Sequence, residues 1–249
     1  MNILVCLKMV SRSTYSDTFA ESASADRLSG GQLGLNPADA YTLEQALRIK
    51  DRRPATRITV ITMAPKTGEQ ILREALAMGA DEAVHVSDIA YAGSDTIATA
   101  GVLAAAIASL GRFDLILCGR KAIDSETGHI GAQLSQALGV PFLSNVLSLV
   151  PGNGAVEAIC ALSDGTAKFR CPCPVLLTVI NGTDMVRAPM ILGLRRAKNV
   201  PIRLVTTATV PAVRSGTETI SVTELSFAHR HGEKETDLQR GIERLVKLL

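Results

Sequence analysis

Apolar runs of strand length alternate with helical patterns through the first half of the chain. Buried parallel strands read as continuous apolar runs rather than as alternating ones. Four runs fit this description, at residues 2–7, 57–63, 83–86 and 113–118. Three segments with helical spacing lie between them, at residues 37–50, 68–78 and 96–110. This order predicts an α/β protein with a doubly wound, mainly parallel sheet.

Other stretches do not follow this alternation of strands and helices. Residues 11–34 are rich in Ser and Gly, which indicates a long surface excursion. Past Pro141 the apolar runs become shorter, at residues 143–150, 155–162, 168–171 and 175–180. These shorter runs predict a small antiparallel extension of the sheet.

The end of the chain has a different composition. Beyond Pro201 it turns to Thr, Val and Pro, as in an extended arm, and a short amphipathic helix follows. The apolar stripe of that helix consists of Leu238, Ile242, Leu245, Val246 and Leu249. We expect an α/β domain at residues 1–206 and a C-terminal arm with its helix at residues 207–249. Such a tail wraps either a partner or the parent domain.

Composition excludes some classes of function. Hydrophobic residues make up 47% of the chain, so a sizeable aliphatic core is available. An aromatic share of 3% without Trp leaves no platform for stacking nucleic-acid bases. A net charge of +2 gives no argument for a polyanionic partner. We therefore expect no binding to nucleic acid.

The five cysteines form neither a secreted disulfide framework nor a CxxC pair. Cys171 and Cys173 are too isolated to hold zinc, so we expect buried free thiols and no metal site. The chain starts directly as a strand, and its longest apolar helix, at residues 96–110, is too short to span a membrane. We expect no membrane insertion and a cytoplasmic or matrix-type location.

The segment at residues 119–131 has the richest chemistry. It follows the fourth strand and opens a helix, the place where ligands bind in open α/β sheets. Gly119 lets the chain leave the strand tightly. Ser125, Thr127 and Gly128 offer hydroxyl and unobstructed N–H groups near a helix N-terminus, which suits a phosphate.

The charged residues of this segment have two expected roles. Arg120 and Lys121 add positive charge for a phosphate, whereas Asp124 and Glu126 cap the helix or bond a ribose hydroxyl. The glycine spacing is that of neither a Walker loop nor a GxGxxG motif. An ordinary capped strand-to-helix turn therefore remains an alternative.

Other strand ends point to the same edge of the sheet. Residues 36–39 open a helix after the excursion, and their backbone could approach the crevice, although a plain N-cap box explains them equally well. Lys8 follows the first strand, and Met63 ends the second. Together with residues 119–131 these positions predict one ligand crevice.

The four histidines form no catalytic set. His85 lies inside a strand and reads as structural, and His229 and His231 lie in the polar tail. His129 lies in the crevice segment without a nucleophile beside it, and neither GxSxG nor HExxH occurs. We expect no bond-breaking catalysis.

These motifs together resemble the β subunit of electron-transfer flavoproteins, including the bacterial FixA proteins. The resemblance runs over most of the chain and is carried by Asn36-Pro37, the helix at 42–50, the stretch Ala-Leu-Ala-Met-Gly-Ala-Asp at 75–81, and residues 119–131. It implies an adenine nucleotide α-hydrolase-like, Rossmann-like fold. It also implies a heterodimer with an α subunit that carries the electron-transferring FAD.

The resemblance implies that the β subunit binds a second nucleotide, AMP in most members, as a structural element. Electron-bifurcating members hold a second FAD in that place. The implied site residues are Cys6, Lys8, Asn36, Pro37, Ala38, Asp39, Met63, Gly119, Arg120, Lys121, Ala122, Ile123, Asp124, Ser125, Glu126, Thr127, Gly128, His129 and Ile130.

The family also docks acyl-CoA and related flavin dehydrogenases through a protruding loop with an anchoring leucine. The matching loop here is 182–202, with Ile191 at the anchor position and Leu192 one residue away. The docking candidates are Arg187, Pro189, Ile191, Leu192, Arg195, Arg196 and Lys198. Such a basic stretch suits an acidic patch on a partner, or is simply a solvated face. A quinone oxidoreductase or another acceptor would then receive the electrons.

Three positions depart from the family pattern. His129 stands where the family has Gln, Tyr15 lies about two residues later than the usual aromatic, and Ala167 replaces an acid or amide after Asp164-Gly165. These differences concern contacts with the partner.

Two alternatives remain beside the AMP-binding electron carrier. The first is a bifurcating complex, whose pattern Asp-Gly-Asp-Thr-Ala-Gln-Val-Gly matches residues 124–131 only in part. The second is a stand-alone ATP-binding module similar to universal stress proteins. That class has a GxxGxxxxxG loop after the fourth strand, which the spacing here does not match.

Overall fold

A computed structural model describes residues 1–11, 33–182, 185–220 and 236–247. Most of the predicted excursion lies outside the described residues, and so do Tyr15, His229, His231 and Leu249.

Strands and helices alternate as the sequence predicts. The strands are β1 (Asn2–Cys6), β2 (Met9–Ser11), β3 (Leu33–Leu35), β4 (Arg57–Met63), β5 (Glu82–Val86), β6 (Leu115–Gly119), β7 (Phe142–Pro151), β8 (Ala155–Leu162), β9 (Gly165–Pro172), β10 (Val175–Val179) and β11 (Ile202–Val205). The helices are α1 (Pro37–Arg52), α2 (Glu69–Met78), α3 (Thr96–Ala108), α4 (Ile130–Leu138), α5 (Ile191–Asn199) and α6 (Leu238–Val246).

One large sheet contains nine of these strands in the order β11-β5-β4-β1-β6-β10-β7-β8-β9. The strands from β11 to β7 run parallel to one another, and β8 and β9 add antiparallel pairs at one edge. A separate antiparallel pair joins β2 to β3. The doubly wound sheet with an antiparallel extension is therefore confirmed.

Two strand assignments need correction. The run at residues 175–180 was expected in the antiparallel extension, but β10 lies inside the parallel sheet between β6 and β7. All five of its residues are buried, as in the other central strands. The arm beyond Pro201 begins with β11, which pairs with β5 at the edge of the sheet. Because Arg203 and Leu204 are exposed there, no buried run marks it as a strand.

Local sequence explains where the helices begin and end. Pro37 occupies the first turn of α1, where its missing N–H costs no hydrogen bond. Gly79 follows α2 with φ of 133°, a conformation that residues with a Cβ rarely adopt. Two apolar cores result, one between the sheet and helices α1 and α2, the other between the sheet and helices α3 and α4.

The first part of the C-terminal arm packs on its own domain. Tyr91 Oη donates to the Val210 carbonyl at 2.6 Å, and Thr207 Oγ1 donates to Asp88 at 2.6 Å. Ser215 Oγ accepts from the Asp95 N–H at 2.9 Å. Helix α6, in contrast, has no buried residue. None of the described helices combines the length and hydropathy that crossing a membrane requires.

Candidate functional site

Asp39 joins the ends of two neighbouring strands. Its carboxylate accepts the Lys8 N–H at 2.8 Å, just past β1, and the Gly119 N–H at 3.2 Å, at the end of β6. Burial raises the pKa of Asp39 to about 7, although these hydrogen bonds and the Lys8 charge favour its ionised form. The first turn of α1 is thereby fixed to the edge where β1 and β6 end.

Asn36 connects α1 to the segment at residues 119–131. It occupies the N-cap position of α1, but its side chain makes no capping hydrogen bond. Its amide donates to the Lys121 carbonyl at 3.1 Å and accepts the Ile123 N–H at 3.3 Å. The N-cap box that the sequence allowed is therefore not formed, and the side chain braces the crevice segment instead.

Lys8 lies over the same segment. Its ammonium donates to Asp124 at 2.6 Å and to Ser125 Oγ at 3.3 Å. The Asp124 side chain is 11% exposed, whereas that of Lys8 is 40% exposed. A partly solvated lysine in this position can contact an anion without leaving the protein surface.

The expectation that Asp124 or Glu126 caps the following helix is wrong. Asp124 pairs with Lys8, and Glu126 pairs with Lys121 at 2.8 Å. Helix α4 starts after His129, whose side chain makes no capping bond either. Nearby lysine charges attract both carboxylates away from the helix end.

Two glycines of the segment are required by close contacts. A Cβ on Gly119 would lie 2.3 Å from Asp39 Oδ1, so a side chain cannot be placed between β6 and α1. Gly128 has φ of 63°, and a Cβ there would lie 2.3 Å from an Arg120 guanidinium nitrogen. Gly119 therefore serves a close approach of backbone and side chain, rather than the tight exit that we expected.

Asn145 is a contributor that sequence reasoning missed. Arg120 Nε donates to Asn145 Oδ1 at 2.5 Å, and Asn145 has φ of 54° at an irregularity of β7. The Arg120 guanidinium therefore lies between Gly128 and β7. The only cue in the sequence is an Asn in an apolar strand, since this residue type tolerates the left-handed region.

The remaining residues of the expected nucleotide site lie near the same edge of the sheet. Cys6 and Cys118 are buried beside each other on one face of the sheet. The hydrogen bond with Cys6, together with burial, raises the pKa of the Cys118 thiol. Met63 ends β4, the neighbour of β1. Pro37 and Ala38 begin α1, while Ala122, Thr127 and Ile130 lie along the crevice segment. His85 is buried in β5 beside the Ala64 and Pro65 carbonyls, as its structural assignment predicts.

The stretch expected to be a docking loop contains helix α5. Met190, Ile191 and Leu192 at its start are each more than 70% exposed. Met190 was missing from the expected set, although it belongs to the same apolar cluster. Arg195 and Lys198 are exposed as well, and Pro189 is half-buried.

Two of the expected docking arginines have internal partners. Arg187 donates to Glu44 at 2.8 Å and to Asp51 at 2.7 Å. Burial alone would raise the pKa of Glu44, but the Arg187 hydrogen bonds outweigh it, and the pKa is lowered. Arg196 donates to the Leu76 and Ala80 carbonyls at the end of α2. These two side chains attach α5 and the segment that leads into it to the rest of the domain.

Comparison with known proteins gives a consistent family. Residues 29–210 match the electron transfer flavoprotein domain family. The Caffeyl-CoA reductase-Etf complex subunit CarD of Acetobacterium woodii is 37% identical over 82% of this chain and 78% of its own length. An electron transfer flavoprotein subunit beta of Thermoanaerobacterium thermosaccharolyticum is 41% identical over 66% of this chain and 63% of its own length.

Protein FixA of Bradyrhizobium diazoefficiens is 34% identical over 81% of this chain and 72% of its own length. The family match, the β-subunit relative and the FixA relative confirm the resemblance drawn from the motifs. The chain belongs to the electron transfer flavoprotein family as a β-subunit-type, FixA-like member, and is an electron carrier subunit rather than a catalyst.

Proposed function

We propose that this chain is the β subunit of a heterodimeric electron-transfer flavoprotein and binds AMP at the edge where β1, β4 and β6 end. The observation that carries this proposal is the convergence of Lys8, Asn36 and Asp39 on residues 119–131. Separate parts of the sequence are brought together there by direct hydrogen bonds. A plain capped turn needs none of these long-range contacts.

The groups around the crevice fit a nucleotide. Lys8 and Lys121 supply positive charge, and the N–H groups before α4 suit a phosphate. Asp124 and Ser125 are half-buried acceptors that suit ribose hydroxyls. The nucleotide would be a structural element, as the family resemblance implies. The FAD carried by the α subunit would supply the redox chemistry.

The second candidate is FAD in the same crevice, as in a bifurcating complex. One relative is named as part of a Caffeyl-CoA reductase-Etf complex, and another as an acryloyl-CoA reductase electron transfer subunit. Their association with reductases favours this variant of the function.

The apolar start of α5 supports a docking role. Met190, Ile191 and Leu192 are exposed beside the basic residues Arg195 and Lys198. An exposed apolar cluster next to positive charge suits the acidic surface of a partner. We infer that a flavin-dependent acyl-CoA dehydrogenase or reductase contacts this helix, and that a quinone oxidoreductase or another acceptor takes the electrons onward.

The nucleotide content tests this proposal. The chain is co-expressed and co-purified with an electron-transfer flavoprotein α subunit, and the nucleotides are extracted and quantified. One FAD and one AMP per heterodimer is the expected result. Two FAD per heterodimer would instead establish the bifurcating variant, and a monomer that hydrolyses ATP would rule out both. An Asn36→Ala variant should lose the bound AMP and keep the FAD, whereas Asn153→Ala, in the exposed turn between β7 and β8, should keep both.

A further inference from the structure

A groove of about 550 Å³ lies at the end of the sheet opposite the nucleotide crevice. It is formed where β1, β4, β5 and β11 begin, together with the connection from α3 to β6. Arg57, the first residue of β4, lines the groove, and Met63, the last, belongs to the crevice edge. Six residue steps in a strand span about 20 Å. The groove is therefore separate from the proposed AMP site.

Strand register places its charged residues on one face of the sheet. In the register of the sheet, Glu82 of β5 lies opposite Thr59 of β4, and Arg203 of β11 lies opposite Val84 of β5. Residues two apart in a strand point to the same side, so Arg57, Glu82 and Arg203 project together. Leu110, Arg112 and Phe113 close the groove from the end of α3.

The groove carries more positive charge than its own acid can neutralise. Glu82 pairs with Arg57 at 2.9 Å, and its other oxygen accepts from Thr59 Oγ1 at 3.3 Å. Arg112 and Arg203 are exposed, and within the described ranges neither has an acidic partner. Two guanidinium groups thus face one groove with their donors available.

About half of the residues that line the groove are apolar. Besides Ala83, they are Val84, Leu110, Phe113, Pro201 and Ile202. A guanidinium binds phosphate or carboxylate through paired hydrogen bonds, and apolar walls favour a hydrocarbon or ring beside that head group. A volume of this size matches small-molecule sites in proteins.

We propose that this groove binds a small organic anion. Arg112 and Arg203 hold its phosphate or carboxylate head, and Leu110 and Phe113 contact its apolar part. This site is separate from the nucleotide crevice, which lies at the opposite end of the sheet.

The test uses the full chain and, in parallel, its Asn36→Ala variant, so that binding in the groove is measured apart from binding in the crevice. Phenyl phosphate and benzoate are titrated by calorimetry at low ionic strength. We expect saturable binding of at least one probe, weakened about tenfold or more in Arg112→Gln/Arg203→Gln. An Arg170→Gln variant, altered at an exposed arginine on β9, should bind like the unaltered chain. The probe that binds more tightly shows whether the site prefers a phosphate or a carboxylate head group.

Two results would overturn the proposal. The first is that neither phenyl phosphate nor benzoate binds saturably. The second is an unchanged affinity in the double arginine variant while its circular dichroism matches that of the unaltered chain. Inorganic phosphate binding as tightly as phenyl phosphate would overturn the role given to Leu110 and Phe113. Loss of AMP binding elsewhere leaves this outcome unaffected, so the two sites are tested separately.

Discussion

Asp39 accepts backbone hydrogen bonds from Lys8 and Gly119, which are distant in sequence. The sequence predicted that residues 36–39 open a helix near the crevice, and this much is correct. It could not show that Asp39 and Asn36 turn their side chains toward other segments. A helix cap and a long-range tertiary hydrogen bond use the same residue types, and only the packed fold distinguishes them.

The stability of the protein should depend on the ionisation of Asp39. Burial raises its folded-state pKa from 3.8 to about 7, so the folded state holds the proton more tightly than the unfolded chain. The stabilisation is complete below about pH 3.8 and is lost as the pH rises through 7. We expect this loss to be at most about 4 kcal/mol. Asp39→Asn should abolish this part of the pH dependence in urea unfolding.

The matched control for Asp39→Asn is Asp164→Asn, at an exposed turn after β8. That variant should keep the pH profile of the unaltered chain. Parallel profiles for Asp39→Asn and the unaltered chain between pH 4 and 8 would contradict the assignment of this dependence to Asp39.

Helix α5 is held on α2 by contacts that leave the side chains of Ile191 and Leu192 exposed. A Cβ on Gly193 would lie 2.1 Å from the Ala77 carbonyl oxygen, so the two helices touch through backbone. Arg73 donates to the Ala197 and Val200 carbonyls at 2.6 Å, which fixes the other end of α5. The sequence located this surface through its apolar residues, but did not reveal a helix, because its short apolar cluster lacks a long helical period.

Replacing both Ile191 and Leu192 by Ala should separate docking from folding. Both side chains are exposed, so the free energy of unfolding should change by about 0.5 kcal/mol or less. Electron transfer with the partner dehydrogenase or reductase should slow about tenfold or more, because interface anchors carry much of the binding energy. Stopped-flow flavin absorbance measures this rate.

Leu204→Ala provides the control for the docking helix, since Leu204 is also exposed but lies on β11. It should transfer electrons at the unaltered rate. Unchanged transfer with every donor and acceptor in the Ile191→Ala/Leu192→Ala variant would remove the docking role of α5.

The sequence predicted the strands that are buried on both faces. It did not predict features that depend on which strands are neighbours in the sheet. The run at β10 was visible, but its place between β6 and β7 depends on a crossover that apolar patterns do not encode. In β11 the exposed Arg203 and Leu204 hide the strand, since an edge position requires burial on fewer sides.

The C-terminal arm divides into two parts at the scale of the whole molecule. Up to Gly216 it packs on its own domain through Val210, Ser215 and their neighbours. Helix α6 leaves Leu238, Ile242 and Leu245 more than half exposed along one stripe. The proposed α subunit would cover this stripe, since an amphipathic helix of nine residues is marginal in water without a partner surface.

Ile242→Asp should therefore weaken the heterodimer while leaving the fold of the α/β domain intact. A charge in the centre of an apolar interface loses its hydration, so the dissociation constant should rise about tenfold or more. Analytical ultracentrifugation with the α subunit measures it. Arg240→Gln, on the opposite side of the helix, makes the same change in net charge and should assemble normally. Equal assembly of the two variants would show that α6 does not contact the partner.

The carboxyl group of Asp39 also makes the crevice a proton acceptor. With a pKa of about 7, it is a mixture of protonated and ionised forms at neutral pH. A phosphate bound nearby adds negative charge and shifts this mixture toward the protonated form. Loading the nucleotide should then draw a fraction of a proton from solution, and the measured heat of binding should change with the ionisation enthalpy of the buffer. Assembly of the protein with its nucleotide would accordingly respond to small changes in pH near neutrality.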